Sequence, residues 1–233
     1  MKNPTYPMPM FYSLGLALMG AVAWLVSGIL QTVPTLAGLH RGILLAPALL
    51  ISVGALIITL RAKERTGRLL FSYGLNAIGS GWTVGVLMSV KGILPTATLA
   101  YGLLPALAVG ILCWIVLAAV DYWPGIQTLF FVLLSLTLLI LGILIWNRHV
   151  PLMGCAMVFS ALFLLPYCIA VNAALDNPGE QFSYLSISGF GAFIVILVVV
   201  IAVLSDGDCL EALFDGLDVV GGGEGIGRKK RIQ

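Results

Sequence analysis

The sequence predicts an all-α polytopic membrane protein with seven transmembrane helices, and three observations carry that prediction. First, the twelve Lys and Arg and the ten Asp and Glu residues all fall outside seven long apolar stretches. Second, those stretches are 10–30, 42–60, 69–90, 99–120, 127–146, 151–173 and 187–205. Each approaches the ~20 residues that a helix needs to cross the hydrocarbon core. Third, the chain is 60% hydrophobic and 9% charged, where a soluble domain carries about 25% charged residues. Its mean hydropathy is +1.08. A charge at the bilayer centre costs about 2.5–3.5 kcal/mol, and no stretch meets that cost.

The first stretch follows Lys2 and a Pro-rich opening. It is long for a signal-peptide core, so it is expected as a mature helix. It ends near Gln31–Pro34. The second ends at Arg61, before a basic loop of Arg61, Lys63, Arg65 and Arg68 opposed only by Glu64. The third ends at Lys91–Pro95. Asp121-Tyr-Trp-Pro-Gly125 reads as an interfacial turn between the fourth and fifth. Asn147–Val150 separates the fifth from the sixth, and a loop with Asp176, Asn177-Pro-Gly and Glu180 separates the sixth from the seventh. Residues 1–205 thus read as one membrane domain and 206–233 as a hydrophilic, flexible tail. That tail has an acidic run, a Gly-rich stretch and a basic end, Arg228–Arg231. The positive-inside rule puts the 61–68 loop, and with it the N-terminus, in the cytoplasm of a multi-pass protein of the plasma or inner membrane.

Gly20-x-x-x-Trp24-Leu-Val in the first stretch matches Gly110-x-x-x-Trp114-Ile-Val in the fourth. Tandem three-helix units would have opposite topology, so the match suggests a 3+3 inverted repeat plus one extra helix.

Composition excludes several functions. A net charge of +2 gives no basic footprint for nucleic acid. Cys113, Cys155, Cys168 and Cys209 form no CxxC pair, and His40 and His149 lie in loops, so no metal or other cofactor is expected. The chain has no acid pair, HExxH, GxSxG or P-loop, and is not expected to be an enzyme.

The third stretch carries the most chemistry. Ser72, Asn76, Ser80 and Thr83 recur at helical spacing and form one small, polar stripe. Such a stripe needs hydrogen-bond partners in lipid, so it faces other helices or a water-filled path. Gly81-x-x-x-Gly85 beside it offers close helix packing. The fifth stretch carries Ser135 and Thr137, which can bond back to their own helix. Pro47, Pro105 and Pro166 interrupt the second, fourth and sixth.

In these residues the chain resembles the acetate uptake transporter family, the YaaH-type acetate/succinate carriers. The resemblance lies in Asn3-Pro4, Leu14-Gly-Leu16, Met19-Gly20, the basic turn before Gly67, Gly79-Ser-Gly-Trp82 and Phe131-Val-Leu-Leu-Ser135-Leu136-Thr137. It covers residues 3–173. It implies a six-helix protomer in a homo-hexamer with its N-terminus inside, each protomer moving a short monocarboxylate such as acetate past hydrophobic constrictions. Leu136 matches the family's Leu. Ile78 stands at its Tyr position, and Ala21 or Met19 at its Phe position. The substrate path implied is Ala21, Ile78 and Leu136 as gates, with Asn76, Ser80, Ser135 and Thr137 supplying hydrogen bonds. The expected partners are the lipid bilayer and a small solute. The rival readings are an amide/urea-type channel and a non-transporting membrane scaffold or accessory subunit.

Overall fold

The computed structural model describes residues 8–33, 41–62, 65–92, 124–146 and 151–205. Every regular element among them is helical: α1 (Met8–Thr32), α2 (Arg41–Arg61), α3 (Thr66–Val90), α4 (Pro124–Trp146), α5 (Pro151–Asp176) and α6 (Gln181–Leu204). A single 3₁₀ turn, Pro178–Glu180, joins α5 to α6. The apolar stretch 99–120, the Pro105 within it and the tail 206–233 lie outside the described residues.

Four of these helices are long and apolar enough to cross a membrane: Met10–Thr32, Gly42–Arg61, Met157–Asp176 and Gln181–Leu204. The described residues therefore support four such spans rather than the seven expected. α4, 23 residues long, carries a further apolar run at Val132–Ile145 among the residues whose side chains are described. α3 is 25 residues long, but its Ser, Asn, Thr and Gly residues dilute its hydropathy. The last helix also begins at Gln181, earlier than the expected 187. Pro178 opens the preceding turn, with its fixed φ suited to a first helical position, so the polar Gln181, Ser183 and Tyr184 join the helix. Pro47 and Pro166 sit inside continuous helices. α3 ends where Gly92 takes φ +65°, a left-handed turn that suits glycine after a helix.

α3 is the hub, packing extensively on α1, α2 and α6. α6 also lies along α5, and α4 lies along α5. Contacts fix the directions. Gly81 and Gly85 of α3 press on Met19 and Ala23 of α1, so these helices run parallel. Gly79 meets Ser52 and Ser72 meets Thr59, so α2 runs antiparallel to α3. Tyr73 and Asn76 lie against Gly189, and Gly79 against Phe193, so α6 runs parallel to α3. The α4–α5 and α5–α6 pairs are antiparallel hairpins: Ser135 bonds to Ala161, and Gly191 faces Pro166. α4 therefore points the same way as α3. Val90 and Pro124 lie at opposite ends of the bundle.

The helix expected as an extra one is thus internal to the described bundle. α6 lies between α3 and α5, with Phe193, Ile196 and Val200 fully buried. An aromatic cluster ties α1, α3 and α5 together: Tyr12 of α1 stacks on Tyr167 of α5 at 4.4 Å, and Phe163 lies 5.6 Å from Tyr12 and 6.2 Å from Tyr73.

Candidate functional site: the polar seam of α2, α3 and α6

The α3 stripe points inward. Ser72, Asn76, Ser80 and Thr83 are all fully buried. They face helices that present small residues: Ala48, Ser52, Ala55 and Thr59 at helical spacing on α2, and Ser186 and Gly189 on α6. Small side chains let backbones approach closely where lipid gives no hydrophobic drive to associate. At Gly79 the fit is closest. A side chain there would collide with the Ser52 hydroxyl and come within 3.3 Å of the Ala48 carbonyl.

Along this seam the hydrogen bonding changes from level to level. Nearest the α2–α3 connection, three hydroxyls from three helices meet. Thr59 Oγ1 lies 2.6 Å from Ser72 Oγ and 2.8 Å from Ser186 Oγ, and Ser72 donates to the Ala55 carbonyl at 2.6 Å. One hydrogen per hydroxyl is enough for the set, in the order Ser186 to Thr59, Thr59 to Ser72 and Ser72 to Ala55, and Thr59 Oγ1 also lies 3.1 Å from the Ala55 carbonyl. At the far end the Trp82 indole N–H donates to the Leu44 carbonyl at 2.7 Å. Leu44 lies in the turn before Pro47, whose ring and missing N–H loosen the local backbone ladder.

Between these two contacts the seam is unsatisfied. Both polar atoms of the Asn76 amide are buried without a hydrogen-bond partner, as are the Ser52 and Tyr73 hydroxyls. Asn76 is one helical turn before Gly79, so it lies beside the level at which Ser52 packs. Ser52 is near the midpoint of α2, and Asn76 near that of α3. A buried polar group left unpaired costs about 1–3 kcal/mol, and native interiors pair the great majority of such groups. The Tyr73 hydroxyl faces Gly15 of α1, so the unpaired groups of the seam itself are the Asn76 amide and the Ser52 hydroxyl.

The seven residues expected to form the path are distributed over two regions. Asn76 and Ser80 lie in the seam, and Ser80 donates to the Asn76 backbone carbonyl at 2.9 Å. Ile78 and Ala21 are half-buried on α3 and α1. Ser135, Leu136 and Thr137 are on α4, away from the seam. Ser135 is buried and donates to the Ala161 carbonyl at 3.0 Å. Thr137 is exposed and donates to its own Leu133 carbonyl at 2.7 Å. Leu136 is 46% exposed. With Ser135, Cys168, Ile169 and Asn172 it lines a groove of about 240 Å³ between α4 and α5. Leu136 is therefore not brought together with Ile78 and Ala21 around one opening in the described residues.

Sequence reasoning missed Ser52, Thr59, Tyr73 and Ser186. The available signal was the Ala48-Ser52-Ala55-Thr59 stripe on α2, which repeats at the same spacing as the stripe on α3. Cys155 and Cys168 are buried free thiols, and Cys168 bonds back to the Leu164 carbonyl. Among the described residues no group of His, Cys, Asp and Glu is arranged to hold a metal. No family model, curated protein or solved structure matches the chain.

Proposed function

We propose that the chain is a seven-pass membrane protein that moves a small polar solute through its own helix bundle. The observation that carries this reading is the unpaired Asn76 amide at mid-length of a hub helix, enclosed by α2 and α6. In the middle of membrane-length helices a polar residue is expensive. Transport gives one without internal partners a use.

Two observations support seven crossings: Val90 and Pro124 sit at opposite ends of the bundle, and the sequence between them holds a charge-free run of bilayer length at 99–120. The exposed Arg61, Arg65 and Arg68 at the α2–α3 end favour that end, and with it the start of α1, on the cytoplasmic side. The substrate suggested by the resemblance to acetate carriers is a short monocarboxylate, and the assembly suggested by it is a hexamer. Ile78 lies on α3 two residues after Asn76, and Ala21 lies on the neighbouring α1; both are half-buried. Leu136 would act from the α4–α5 groove.

The test is flux into proteoliposomes with labelled acetate and urea, comparing the native chain with Asn76→Leu and Leu136→Ala. Uptake that depends on Asn76 supports the reading. Native vesicles no leakier than protein-free ones to either solute would rule it out.

One observation favours a non-transporting scaffold: Gly79, Gly81 and Gly85 all serve tight helix contacts. On that reading the stripe is packing material throughout. Asn76→Leu would then leave every measured property intact.

A further inference from the structure

We propose that the Asn76–Ser52 level is an occluded binding site for one small, planar, uncharged molecule that presents a hydrogen-bond donor and an acceptor on the same edge. The inference rests on the transport reading only for its purpose; the site is argued from its own geometry.

A primary amide has a carbonyl oxygen that accepts and an NH₂ that donates, side by side in one plane. Both are unpaired at Asn76, whose side chain is fully buried. A ligand that satisfies only one of them leaves the other stranded. The complement is therefore a group with its own adjacent donor and acceptor, such as a primary amide, a urea or an undissociated carboxylic acid. These form a two-bond ring with the Asn76 edge. The Ser52 hydroxyl, also fully buried and unpaired, packs on Gly79, three residues further along α3.

Charge selects against the ionised form. α2, α3 and α6 carry no Lys or Arg between Gly42 and Leu60, Leu69 and Val90, or Gln181 and Leu204. An anion at this level would meet no cation and would face the Asn76 oxygen as well as its nitrogen. Burying an unpaired charge costs far more than burying an amide.

Access is closed at both ends. Trp82 is tied to Leu44 on one side, and Thr59, Ser72 and Ser186 are tied together on the other. Both contacts involve α2, and Ser52 rests directly on Gly79 between them. Releasing either contact lets α2 lean from α3 and opens the level to one side. Pro47, beside the Leu44 contact, is the point where α2 can flex.

The experiment is equilibrium binding to the full chain in nanodiscs, read by thermal shift and by ligand-detected NMR. The probes are acetamide, urea and acetic acid, each measured above and below the acid's pKa. The expected result is saturable binding of the two amides at both pH values. Acetic acid should bind only below its pKa, and Asn76→Leu should lose at least tenfold in affinity. Ser52→Ala, a milder change, should lose several-fold. If acetic acid alone binds, the acid source of the shared chemistry is selected and the site stands. Absence of saturable binding for every probe overturns the site, as does acetate binding equally well above its pKa or Asn76→Leu binding like the native chain. Binding without vesicle flux would keep the site and remove transport; flux insensitive to Asn76 would do the reverse.

Discussion

α3 and α4 are of similar length, 25 and 23 residues, and equally free of charge within their apolar stretches, yet they occupy opposite positions in the bundle. α3 is rich in glycine, serine and asparagine, and three helices bury it. α4 is the more apolar, and α5 is the one described helix on which it packs extensively. Leu133, Leu136, Ile140 and Leu144 of α4 face outward. In water the order would be reversed, because the hydrophobic effect would drive α4 inward. In a bilayer lipid is as apolar as leucine, so close backbone approach and hydrogen bonding decide which helix becomes the hub.

The comparison can be broken first at the glycines. Gly81→Ala would push a methyl into the Met19 backbone carbonyl, which cannot rotate away. A loss of about 1–3 kcal/mol is expected from overpacking, read as a lower unfolding midpoint in detergent. Gly54→Ala on α2 meets open space. It should instead gain up to about 1 kcal/mol of helix propensity. Equal shifts for the two variants would show that α1 does not press on α3 as described.

Thr59→Val tests the hydroxyl set. It keeps the side-chain shape and strands Ser186, so a loss of about 1 kcal/mol is expected, since interhelical side-chain bonds in membranes average near 0.6 and reach about 1.7 kcal/mol. Adding Ser186→Ala should recover part of that loss, and a double-mutant cycle with no coupling would count against the contact.

Without added ligand, Asn76→Leu should leave the midpoint unchanged or raise it. Removing an unpaired buried polar group relieves a penalty, whereas removing a paired one costs. A clear drop would mean that Asn76 already holds a partner in the purified protein. The smallest effect is expected at Leu133→Ala, which should stay within about 0.5 kcal/mol for an outward-facing side chain. A larger drop would reveal that another surface covers this face of α4.

These pairings also explain what could be read from the residues alone. Charge placement located the starts and ends of α1, α2, α3 and α5 to within a few residues, because a membrane span is a one-dimensional constraint. The inward face of α3 was legible too, since Ser72, Asn76, Ser80 and Thr83 share one helical face. Their partners were not. Thr59 and Ser186 are separated by 127 positions yet bond at 2.8 Å; Thr59 does not stand out in its own stretch, and Ser186 falls just before the start expected for the last one. Ser135 and Thr137 look alike in sequence, but one reaches across to Ala161 and the other returns to Leu133. Spacing within α4 carries no information about where α5 will lie. α6 was expected as an addition to a 3+3 repeat, and that expectation carried no information about its place between α3 and α5.

The parallel contact between α3 and α6 has a consequence for synthesis. α3 is complete at Val90, but Leu204 must leave the ribosome before α6 is whole. At 5–20 residues per second that interval is roughly 6–23 s. During it Ser72 lacks its link through Thr59 to Ser186, and Gly79 has no Phe193 beside it. In that interval the face of α3 that α6 later covers is left open, and a chain truncated before Gln181 should be degraded faster than the full chain.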